Sequence, residues 1–370
     1  MKIYLPRKEY RCPCCGSDNV WVKETVTREF RSVPVGCREF IIVAAIPKFY
    51  CHDCNAIRQA PIPFARPKKH YTKRFERYVL RLLKGCTVQF VAEFLGVSWA
   101  TIRDIEKEYL GKHFANPSLK EVKYIAIDEI ATKKGHVYMT IVLDLESGLV
   151  LYVSEGRDQN ALLPFWKKLR KSRAKILAVA TDMSPAYTAA VKEHLPDAIH
   201  VHDRFHVVKM FNEVINNMRR SIVSKIKDKN EKSELKGIRC ILLKRPENLD
   251  PDKGEPQRLK KALKMNEDLS MIYYLKEELH SLWDEDELEQ AQGKLMDLIV
   301  YMESTQHYEL KRYAKSLRKH AWNILNWYDC PITTGRLEGV NNKIKTLKRQ
   351  AYGFRDMEYF KLKVLAISRI

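Results

Sequence analysis

The pattern of hydrophobic and polar positions changes character along the 370 residues. Two strand-like stretches, VWVKETV and EFIIVAAI, come first, and a basic segment with apolar positions at helical spacing follows them. From about residue 121 the apolar runs are nearly continuous, which is typical of buried strands. From about residue 220 to 325 helical spacing returns. A chain of this length predicts several domains rather than one core.

The segment YTKRFERYVLRLLKGCTVQFVAEFLGVSWATIRDIEKEYL predicts three helices, over about 72–84, 87–95 and 99–110. Gly96 makes the tight turn before the third helix, and Ser98 is its predicted N-cap. The unit VAEFLGVSWATI resembles the helix-turn-helix of DNA-binding proteins, whose third helix enters the major groove. The predicted base readers are Trp99, Thr101 and Arg103. A generic helical hairpin is the alternative.

Carboxylates fall at the predicted ends of buried strands. EVKYIAIDEI is expected to end at Asp128 and AKILAVATDMSPAY at Asp182, while AIHVHDRFHVVK places Asp203 and His206 where a short strand meets a helix. HVYMTIVLDLESGLVLYVSEGRD predicts a hairpin that turns at residues 146–148. The order strand, hairpin, helix, strand, helix, strand, helix is that of a ribonuclease H-like fold, a mixed sheet flanked by helices. Its central strands lie side by side, which would bring Asp128 close to Asp182.

A third carboxylate, Glu338, stands in the otherwise basic helix GRLEGVNNKIKTLKRQ. It lies off the apolar stripe and has no basic residue three or four positions away, so neither burial nor a helical ion pair explains it. A favourable interaction with the helix dipole is the modest alternative, worth roughly 0.3–1 kcal/mol. Three carboxylates suit two Mg²⁺ or Mn²⁺ ions for phosphodiester chemistry. The neighbouring cations predicted to hold DNA phosphates are Lys343, Lys345, Lys348 and Arg349.

Two cysteine knuckles near the N-terminus predict a structural Zn²⁺. RCPCCGSDNV and FYCHDCNA supply the four expected thiolates, Cys12, Cys15, Cys51 and Cys54. Cys14 and His52 are alternative ligands. A redox dithiol is the competing interpretation, but one pair alone would serve that purpose.

The charge of the chain points to a polyanionic partner. The formal net charge is +20 and the sequence pI is about 9.4. An acidic membrane surface is the alternative, but no anchor motif or leader peptide is recognised, and a cytoplasmic, bacterial protein without disulfides is expected. Residues 264–310 reverse the sign, with 3 Lys+Arg against 12 Asp+Glu, a net of −9. They predict a helical module that faces away from phosphates or docks on basic protein surface.

The sequences around Asp128, Asp182, Asp203 and Glu338, together with the knuckles and the helix-turn-helix, resemble the DDE transposases of the ISL-three family of bacterial insertion sequences. The resemblance covers nearly the whole chain. It implies a catalytic triad of Asp128, Asp182 and Glu338. Asp203 and His206 resemble a paired signature of related transposases, for which the alternatives are catalytic support and a structural hydrogen bond that holds the end of the strand. The family resemblance also implies binding to terminal inverted repeats and target DNA, cleavage and strand transfer, and a homodimer or larger assembly on DNA. The alternatives are a regulator derived from a transposase and a structure-specific nuclease.

The expected domains are a zinc ribbon, a helix-turn-helix, a catalytic domain in two segments and an all-α insertion between them. Their predicted bounds are 1–66, 67–118, 119–220 with 326–370, and 221–325. Trp283, Trp322 and Trp327 are expected in the core of the helical part, with stacking of one of them on an unpaired base as the alternative.

Overall fold

The structure is a computed structural model that describes residues 1–133, 137–156 and 158–369, apart from the side chains of residues 133 and 159. It divides into two compact units. The first contains residues 1–115 and 347–363, and the second contains residues 116–346 and 364–369.

The first unit begins with a four-stranded sheet formed by β1 (Lys2–Tyr4), β2 (Val20–Val35), β3 (Arg38–Cys51) and β4 (Ile57–Gln59). The long antiparallel hairpin of β2 and β3 forms most of this sheet, and β1 and β4 both pair with β3. Alternate residues of the hairpin face a small apolar core that includes Phe30, Ile46 and Phe49. The same hairpin brings the two ends of the knuckle segment together, because Val20 pairs with Cys51.

Three helices follow, as predicted: α1 (Lys73–Leu82), α2 (Val88–Leu95) and α3 (Trp99–Phe114). Each begins at a hydroxyl N-cap, and the hydroxyl of Ser98 accepts a bond from the backbone N–H of Thr101 at 3.2 Å. Gly96 ends α2 in the left-handed region, with φ of 61°. Their shared core is apolar and consists mainly of Phe75, Val79, Val91, Leu95, Ile102 and Ile105.

Residues 347–363 complete the first unit. They include most of α14 (Met357–Ala366), whose side chains bond to α3. The ammonium of Lys363 donates to Glu106 of α3 at 2.8 Å, and the hydroxyl of Tyr359 donates to the same carboxylate. The C-terminal part of the chain therefore supports the third helix of the helix-turn-helix.

The second unit contains a mixed five-stranded sheet in the order β7-β6-β5-β8-β9. Its strands are β5 (Tyr124–Lys133), β6 (Val137–Asp144), β7 (Val150–Glu155), β8 (Ala178–Thr181) and β9 (Ile199–His202). β5, β8 and β9 are parallel, whereas β6 is antiparallel to both of its neighbours. Helices α4 (Gln159–Ser172) and α5 (Pro185–His194) connect the parallel strands, and Phe165 and Trp166 of α4 pack into the core beneath them. This arrangement confirms the expected ribonuclease H-like mixed sheet.

One strand boundary differs from the sequence-based expectation. The apolar run was expected to end at Asp128, but β5 continues to Lys133. Its pairing with β8 stops at Ile127 opposite Thr181, and beyond this point β5 pairs only with β6. Asp128 therefore lies where one neighbour strand ends rather than where its own strand ends. The part of β5 after Asp128 pairs with β6 alone. It has no continuous apolar run, because no strand of the described chain covers its other edge.

The remainder of the second unit is helical. Its helices are α6 (Arg204–Lys225), α7 (Lys229–Gly237), α8 (Arg239–Leu243), α9 (Glu255–Met265), α10 (Glu267–Ser281), α11 (Leu288–Ser304) and α12 (Tyr308–Leu325). They enclose a large apolar cluster in which Trp283 is buried and against which Trp327 packs. The prediction for Trp322 was wrong, since this side chain is 72% exposed. It lies off the buried stripe of α12, which includes Leu310, Leu317 and Ile324.

Helix α13 (Gly335–Gln350) follows, and its buried residues Leu337, Val340 and Ile344 match the predicted stripe. Within the described part of the chain, none of the helices combines the length and the apolar character that crossing a bilayer requires.

Candidate catalytic site and nucleic-acid interface

Asp128 and Asp182 lie at the same level of two neighbouring parallel strands, Asp128 within β5 and Asp182 directly after β8. Ile127 of β5 pairs with Thr181 of β8, so the residue that follows on each strand is an aspartate. One oxygen of Asp128, Oδ1, accepts a hydrogen bond from the backbone N–H of Glu129 at 2.7 Å. Oδ1 of Asp182 accepts one from the N–H of Ser184 at 3.0 Å. The backbone thus orients both carboxylates at one edge of the sheet, as the sequence predicted.

The electrostatics of Asp128 suit a cation ligand. Burial raises the pKa of this carboxyl, and the nearby charge of Asp182 raises it further, although His206 and the bonds from Glu129 and Asn341 oppose the shift. A desolvated carboxylate beside a second carboxylate is stabilised by a hard divalent cation, which prefers oxygen ligands. The two aspartates therefore fit Mg²⁺ or Mn²⁺ in the chemistry of their donor atoms.

Asn341 of α13 forms a hydrogen bond with one member of this pair, and the sequence analysis did not predict this contact. Its amide nitrogen donates to Oδ2 of Asp128 at 2.8 Å, and the residue is buried. Its amide oxygen has no hydrogen-bond partner among the described residues. A signal was available in the sequence, because an asparagine next to the buried Val340 needs a polar partner. Glu338 lies one turn before Asn341, and residues three apart are neighbours on a helix surface.

Glu338 itself is exposed in the first turn of α13. It does not form a tight cluster with the two aspartates. Among the described residues, one group of three or more Cys, His, Asp or Glu has ligand atoms that all lie within 4.8 Å of one another, and that group is the four knuckle cysteines. The helix that carries Glu338 is thus attached to the aspartate pair through Asn341, while its own carboxylate remains open to solvent.

Asp203 connects the end of β9 to the start of α13. This buried carboxylate accepts bonds from the backbone N–H of Thr334 at 3.2 Å and from its hydroxyl at 2.6 Å. Nδ1 of His206 lies 3.5 Å from Oδ2 of Asp203. Burial alone would raise the pKa of Asp203, but the bonds from His206 and Thr334 outweigh it and lower that pKa. The carboxylate therefore stays charged and ties two elements together.

The position of His206 explains its own shift. Burial would lower the pKa of the imidazole, but the bond to Asp203 and the charges of Asp128, Asp203 and Asp182 raise it overall. Three carboxylates thus favour the protonated form of this imidazole. His206 can hold or donate a proton beside the aspartate pair.

A buried histidine cluster adjoins the strand ends that precede Asp182 and Asp203, and the sequence analysis did not predict it. Nε2 of His202 lies 3.0 Å from Nδ1 of His320 on α12, and Nε2 of His200 lies 2.8 Å from the hydroxyl of Thr181. The amide of Asn326 donates to the carbonyl of His200 at 2.9 Å. Burial lowers the pKa of His200 to about 4 and that of His202 to about 3, so both rings are neutral near pH 7. The cluster fixes β9 against α12.

The four predicted zinc ligands meet at one point. Sγ of Cys12 lies 3.6 Å from Sγ of Cys54, and Sγ of Cys15 lies 3.6 Å from Sγ of Cys51. A tetrahedral zinc with Zn–S bonds of about 2.3 Å would place its sulfurs about 3.8 Å apart. The alternative ligands Cys14 and His52 are exposed and lie outside this group. The geometry therefore fits a four-cysteine zinc site.

The pKa values of two of these thiols are also shifted from the ordinary value of a cysteine. Backbone N–H groups of Cys15 and Cys14 lower the pKa of Cys12 to about 6. A bond from Ala56 would lower the pKa of Cys54, but burial and the neighbouring thiols raise it to about 12. Four thiolates this close repel each other unless a cation lies between them.

The predicted base readers lie at the start of α3. Trp99 is exposed, Thr101 and Arg103 are half-buried, and the guanidinium of Arg103 lies 5.3 Å from the centre of the Trp99 ring. Arg103 also donates to Asp104 at 2.6 Å. Two further aromatic side chains were missed: Phe90 and Phe94 of α2 stack with ring centres 5.9 Å apart and are 52% and 60% exposed. They add apolar surface to the same small domain.

The basic residues of α13 do not all have the same exposure. Lys343, Lys345 and Arg349 are exposed, whereas Lys348 is half-buried. The three exposed side chains are open to solvent, and their predicted contact with DNA phosphates stays a prediction.

A zinc ribbon, a helix-turn-helix and a carboxylate-bearing ribonuclease H-like sheet in one basic chain define a protein that acts on DNA. Comparison with known families gives the particular class. Residues 8–54 match the zinc-finger of transposase IS204/IS1001/IS1096/IS1165, and residues 60–110 match the helix-turn-helix domain of transposase family ISL3. Residues 125–364 match the ISL3 family domain described as Transposase. The chain belongs to the ISL3 family of transposases.

Full-length relatives agree with this assignment. The transposase for insertion sequence element IS1001 of Bordetella parapertussis is 32% identical over 99% of this chain and 91% of that protein. The transposase for insertion sequence element IS1557 of Mycobacterium tuberculosis is 28% identical over 93% of this chain and 82% of that protein. The Drosophila P element transposase strand transfer complex aligns with a TM-score of 0.40 and 8% identity, over 80% of this chain and 91% of that one.

Proposed function

We propose that the protein binds the terminal inverted repeats of an insertion sequence and catalyses metal-dependent cleavage and strand transfer at its ends. Asp128, Asp182 and Glu338 are the catalytic carboxylates of this proposal. The observation that carries it is the register of the sheet, in which Asp128 within β5 and Asp182 directly after β8 both follow the last residue pair of these adjacent parallel strands. The bond from Asn341 to Asp128 adds support, because it attaches the helix of Glu338 to that pair.

The three carboxylates would hold two Mg²⁺ or Mn²⁺ ions. When bound, such ions supply activation of a water or a 3′-hydroxyl and neutralise charge on the leaving oxygen. Asn341 keeps one oxygen of Asp128 in place, and the Asp203–Thr334 bonds fix the start of α13. His206 holds a proton among the carboxylates and can pass it to an oxygen of the scissile phosphate.

The remaining residues serve DNA binding in this proposal. Trp99, Thr101 and Arg103 read bases through the major groove, and Lys343, Lys345, Lys348 and Arg349 hold phosphates. The four-cysteine zinc site keeps the N-terminal ribbon folded. We place this activity in the bacterial cytoplasm, on the nucleoid, in a homodimer or larger assembly that joins two ends.

The domain division also belongs to the proposal. The ribbon (1–66) and helix-turn-helix (67–118) recognise DNA, and segments 119–220 and 326–370 contain the catalytic residues. The helices of 221–325 act as an all-α insertion. In this proposal the end of the insertion also supports the sheet, because His320 of α12 contacts His202 of β9.

The second candidate is a DNA-binding regulator that has lost catalysis. The solvent exposure of Glu338 favours it, because an open carboxylate is not yet part of a metal cage. The third candidate, a structure-specific nuclease, would use the same carboxylates without strand transfer.

The deciding experiment is nicking of a labelled duplex that carries the DNA flanking this gene. Wild type, Glu338→Gln and the control Glu289→Gln are compared in Mg²⁺ and in Mn²⁺. Glu289 is an exposed glutamate of α11, so its replacement tests for a general charge effect. We expect Glu338→Gln to bind like wild type and to lose cleavage, while Glu289→Gln retains both.

Each other outcome identifies a different failure. Cleavage by Glu338→Gln at the wild-type rate would remove Glu338 from the triad. Loss of binding in that variant would mean that Glu338 is structural. Tight binding by wild type without cleavage in either metal would favour the regulator, and cleavage without joining of the freed 3′ end would favour the nuclease.

A further inference from the structure

A basic groove lies within the first unit, between the end of the zinc ribbon and the start of α1. It has a volume of about 950 Å³, and its lining includes the cationic or titratable side chains of Arg28, Arg66, Lys68, His70 and Lys73. None of the residues that line it is acidic. A concave surface with several cations and no carboxylate attracts polyanions.

The cations of the groove differ in how far the protein neutralises them. Arg66 is fully engaged, because its Nε lies 3.0 Å from Glu76 and its Nη1 lies 2.6 Å from Glu108. Lys68 and Lys73 are exposed and form no ion pair within the described chain. The Lys73 ammonium instead donates to the carbonyl of Pro63 at 2.8 Å. Arg28 likewise bonds to a carbonyl, that of Lys69, at 3.1 Å. The groove thus keeps three cations that are not balanced by an acid.

Of these three cations, Lys68 lies on the loop before α1, Arg28 on β2 and Lys73 at the first position of α1. The carbonyl of His70 accepts from the N–H of Arg31 at 2.8 Å, and the N–H of Thr72 donates to the carbonyl of Arg31 at 2.9 Å, so the loop is pinned to β2. Lys68 stands at the tip in the left-handed region, with φ of 64°. A side chain on a pinned loop loses less conformational entropy when it binds a ligand.

The same loop is also tied to the third helix of the helix-turn-helix. Glu108 of α3 accepts from Arg66 at 2.6 Å and pairs with Lys69 at 2.8 Å. The neutralised cations of the loop, Arg66 and Lys69, therefore anchor it to α3, whereas Lys68 of the same loop is exposed and forms no ion pair within the described chain. Because of these ion pairs with Glu108, the groove has a fixed position relative to α3 within the first unit.

We propose that this groove binds the phosphate backbone of duplex DNA and is a contact separate from α3 and from the basic residues of α13. Lys68, Lys73 and Arg28 each hold a phosphate oxygen, and no base is read. The inference rests on the proposed function, since it takes DNA as the partner of the first unit. Backbone contacts position a protein on the duplex and make its affinity depend on salt.

The test measures how the affinity for a labelled duplex depends on salt concentration, without added divalent metal. Each phosphate contact contributes about 0.9 to the slope of log K against log salt, so the double variant Lys68→Gln/Lys73→Gln should reduce the slope by about 1.8. Two duplexes of unrelated sequence should show the same reduction, because the contact reads no base. Zinc content and circular dichroism confirm that the variant is folded.

The matched control is Lys260→Gln/Lys264→Gln, which removes the same charge from exposed positions of α9 in the second unit. It should leave the slope unchanged. An unchanged slope in the groove variant, or an equal drop in the control, would overturn the inference while leaving the proposed function intact. A drop with only one duplex sequence would replace backbone contact by base reading and also overturn it. Failure of wild type to bind either duplex would refute both the inference and the proposed DNA partner.

Discussion

Asn341 has the clearest single task near the aspartate pair, because it orients a carboxylate without offering a charge of its own. Its amide donates to Oδ2 of Asp128, while the backbone of Glu129 donates to Oδ1. Both bonds favour the charged form and oppose the effect of burial on the pKa. The two bonds thereby favour the ionised form of the carboxylate and fix its rotation, as a metal ligand requires.

Replacing Asn341 with alanine should slow DNA cleavage and move its pH dependence. A hydrogen bond to a charged group is worth roughly 1.5–3 kcal/mol, so we expect a rate roughly 10- to 100-fold lower. The lost bond lowers the pKa of Asp128 in wild type. Its removal therefore raises that pKa, and the acidic limb of the pH–rate profile should move to higher pH.

The adjacent exposed Asn342 provides the control, since Asn342→Ala removes the same group from the solvent side of α13. The measurement is the single-turnover cleavage rate across a pH series for both variants. A uniform loss of rate in Asn341→Ala with an unmoved acidic limb would show that the residue supports only the fold.

The sequence predicted the carboxylates but not the residues that hold them. A buried strand followed by aspartate is visible in a sequence, because apolar runs and charges contrast sharply there. Asn341, Thr334 and the histidines of β9 and α12 are polar residues within ordinary helical or strand patterns. The side-chain partners of Asn341, Thr334 and His202 are more than 100 positions away in the chain, and local periodicity contains no information about such distant contacts.

At the level of elements, two glycines of the helix-turn-helix differ in whether their position requires glycine. Gly96 has φ of 61°, where a side chain is strained, and a Cβ there would lie 3.1 Å from the carboxylate of Glu39. Gly111 lies inside α3, and a Cβ there would meet Leu362 at 3.8 Å, an ordinary contact. The turn needs its glycine and the helix does not.

Alanine at the two positions should therefore change the stability of the domain in opposite directions. Gly96→Ala should lower the free energy of unfolding by about 1–2 kcal/mol, because the left-handed conformation is costly for an L residue. Gly111→Ala should raise it by about 0.5–1 kcal/mol, since alanine favours the helix. Urea unfolding of the two variants beside wild type measures both. Destabilisation by both substitutions would mean that Gly111 is needed for packing rather than tolerated.

Elements with strong local signals were predictable, and those shaped by neighbours were less so. The three helices of the first unit fall within a few residues of their predicted bounds, because N-cap hydroxyls and Gly96 mark their ends. The continuation of β5 beyond Asp128 depends on β6 rather than on its own sequence. The exposure of Trp322 depends on which side of α12 faces the core. The sequence alone does not show whether an aromatic residue beside an apolar stripe faces the core or the solvent.

At the scale of the whole molecule, charge and metal are distributed unevenly between parts of the chain. Residues 1–120 carry 22 Lys+Arg against 11 Asp+Glu, whereas residues 264–310 carry the acidic excess. The zinc ligands all belong to the first unit, and the aspartate pair belongs to the second. Each unit also contains apolar clusters of its own. Zinc should thus be needed for DNA recognition but not for the fold of the sheet.

Replacing the buried Cys51 with serine should therefore unfold one part of the protein selectively. Zinc contributes roughly 10–16 kcal/mol of apparent binding free energy to small domains, and a ribbon with so small a core cannot compensate for that loss. In hydrogen exchange, backbone amides of β2 and β3 should lose protection, while those of β5, β8 and β9 should retain it. Binding to duplex DNA should weaken in parallel.

The exposed Cys37 gives the matched control, because Cys37→Ser makes the same chemical change outside the four-cysteine group. It should keep its zinc, its exchange pattern and its affinity for DNA. If Cys51→Ser instead removed protection from the strands of the second unit as strongly as from β2 and β3, the zinc ribbon would be part of one cooperative fold with the sheet. The metal would then stabilise the catalytic carboxylates as well as the DNA-binding part, and separate roles for the two units would have to be abandoned.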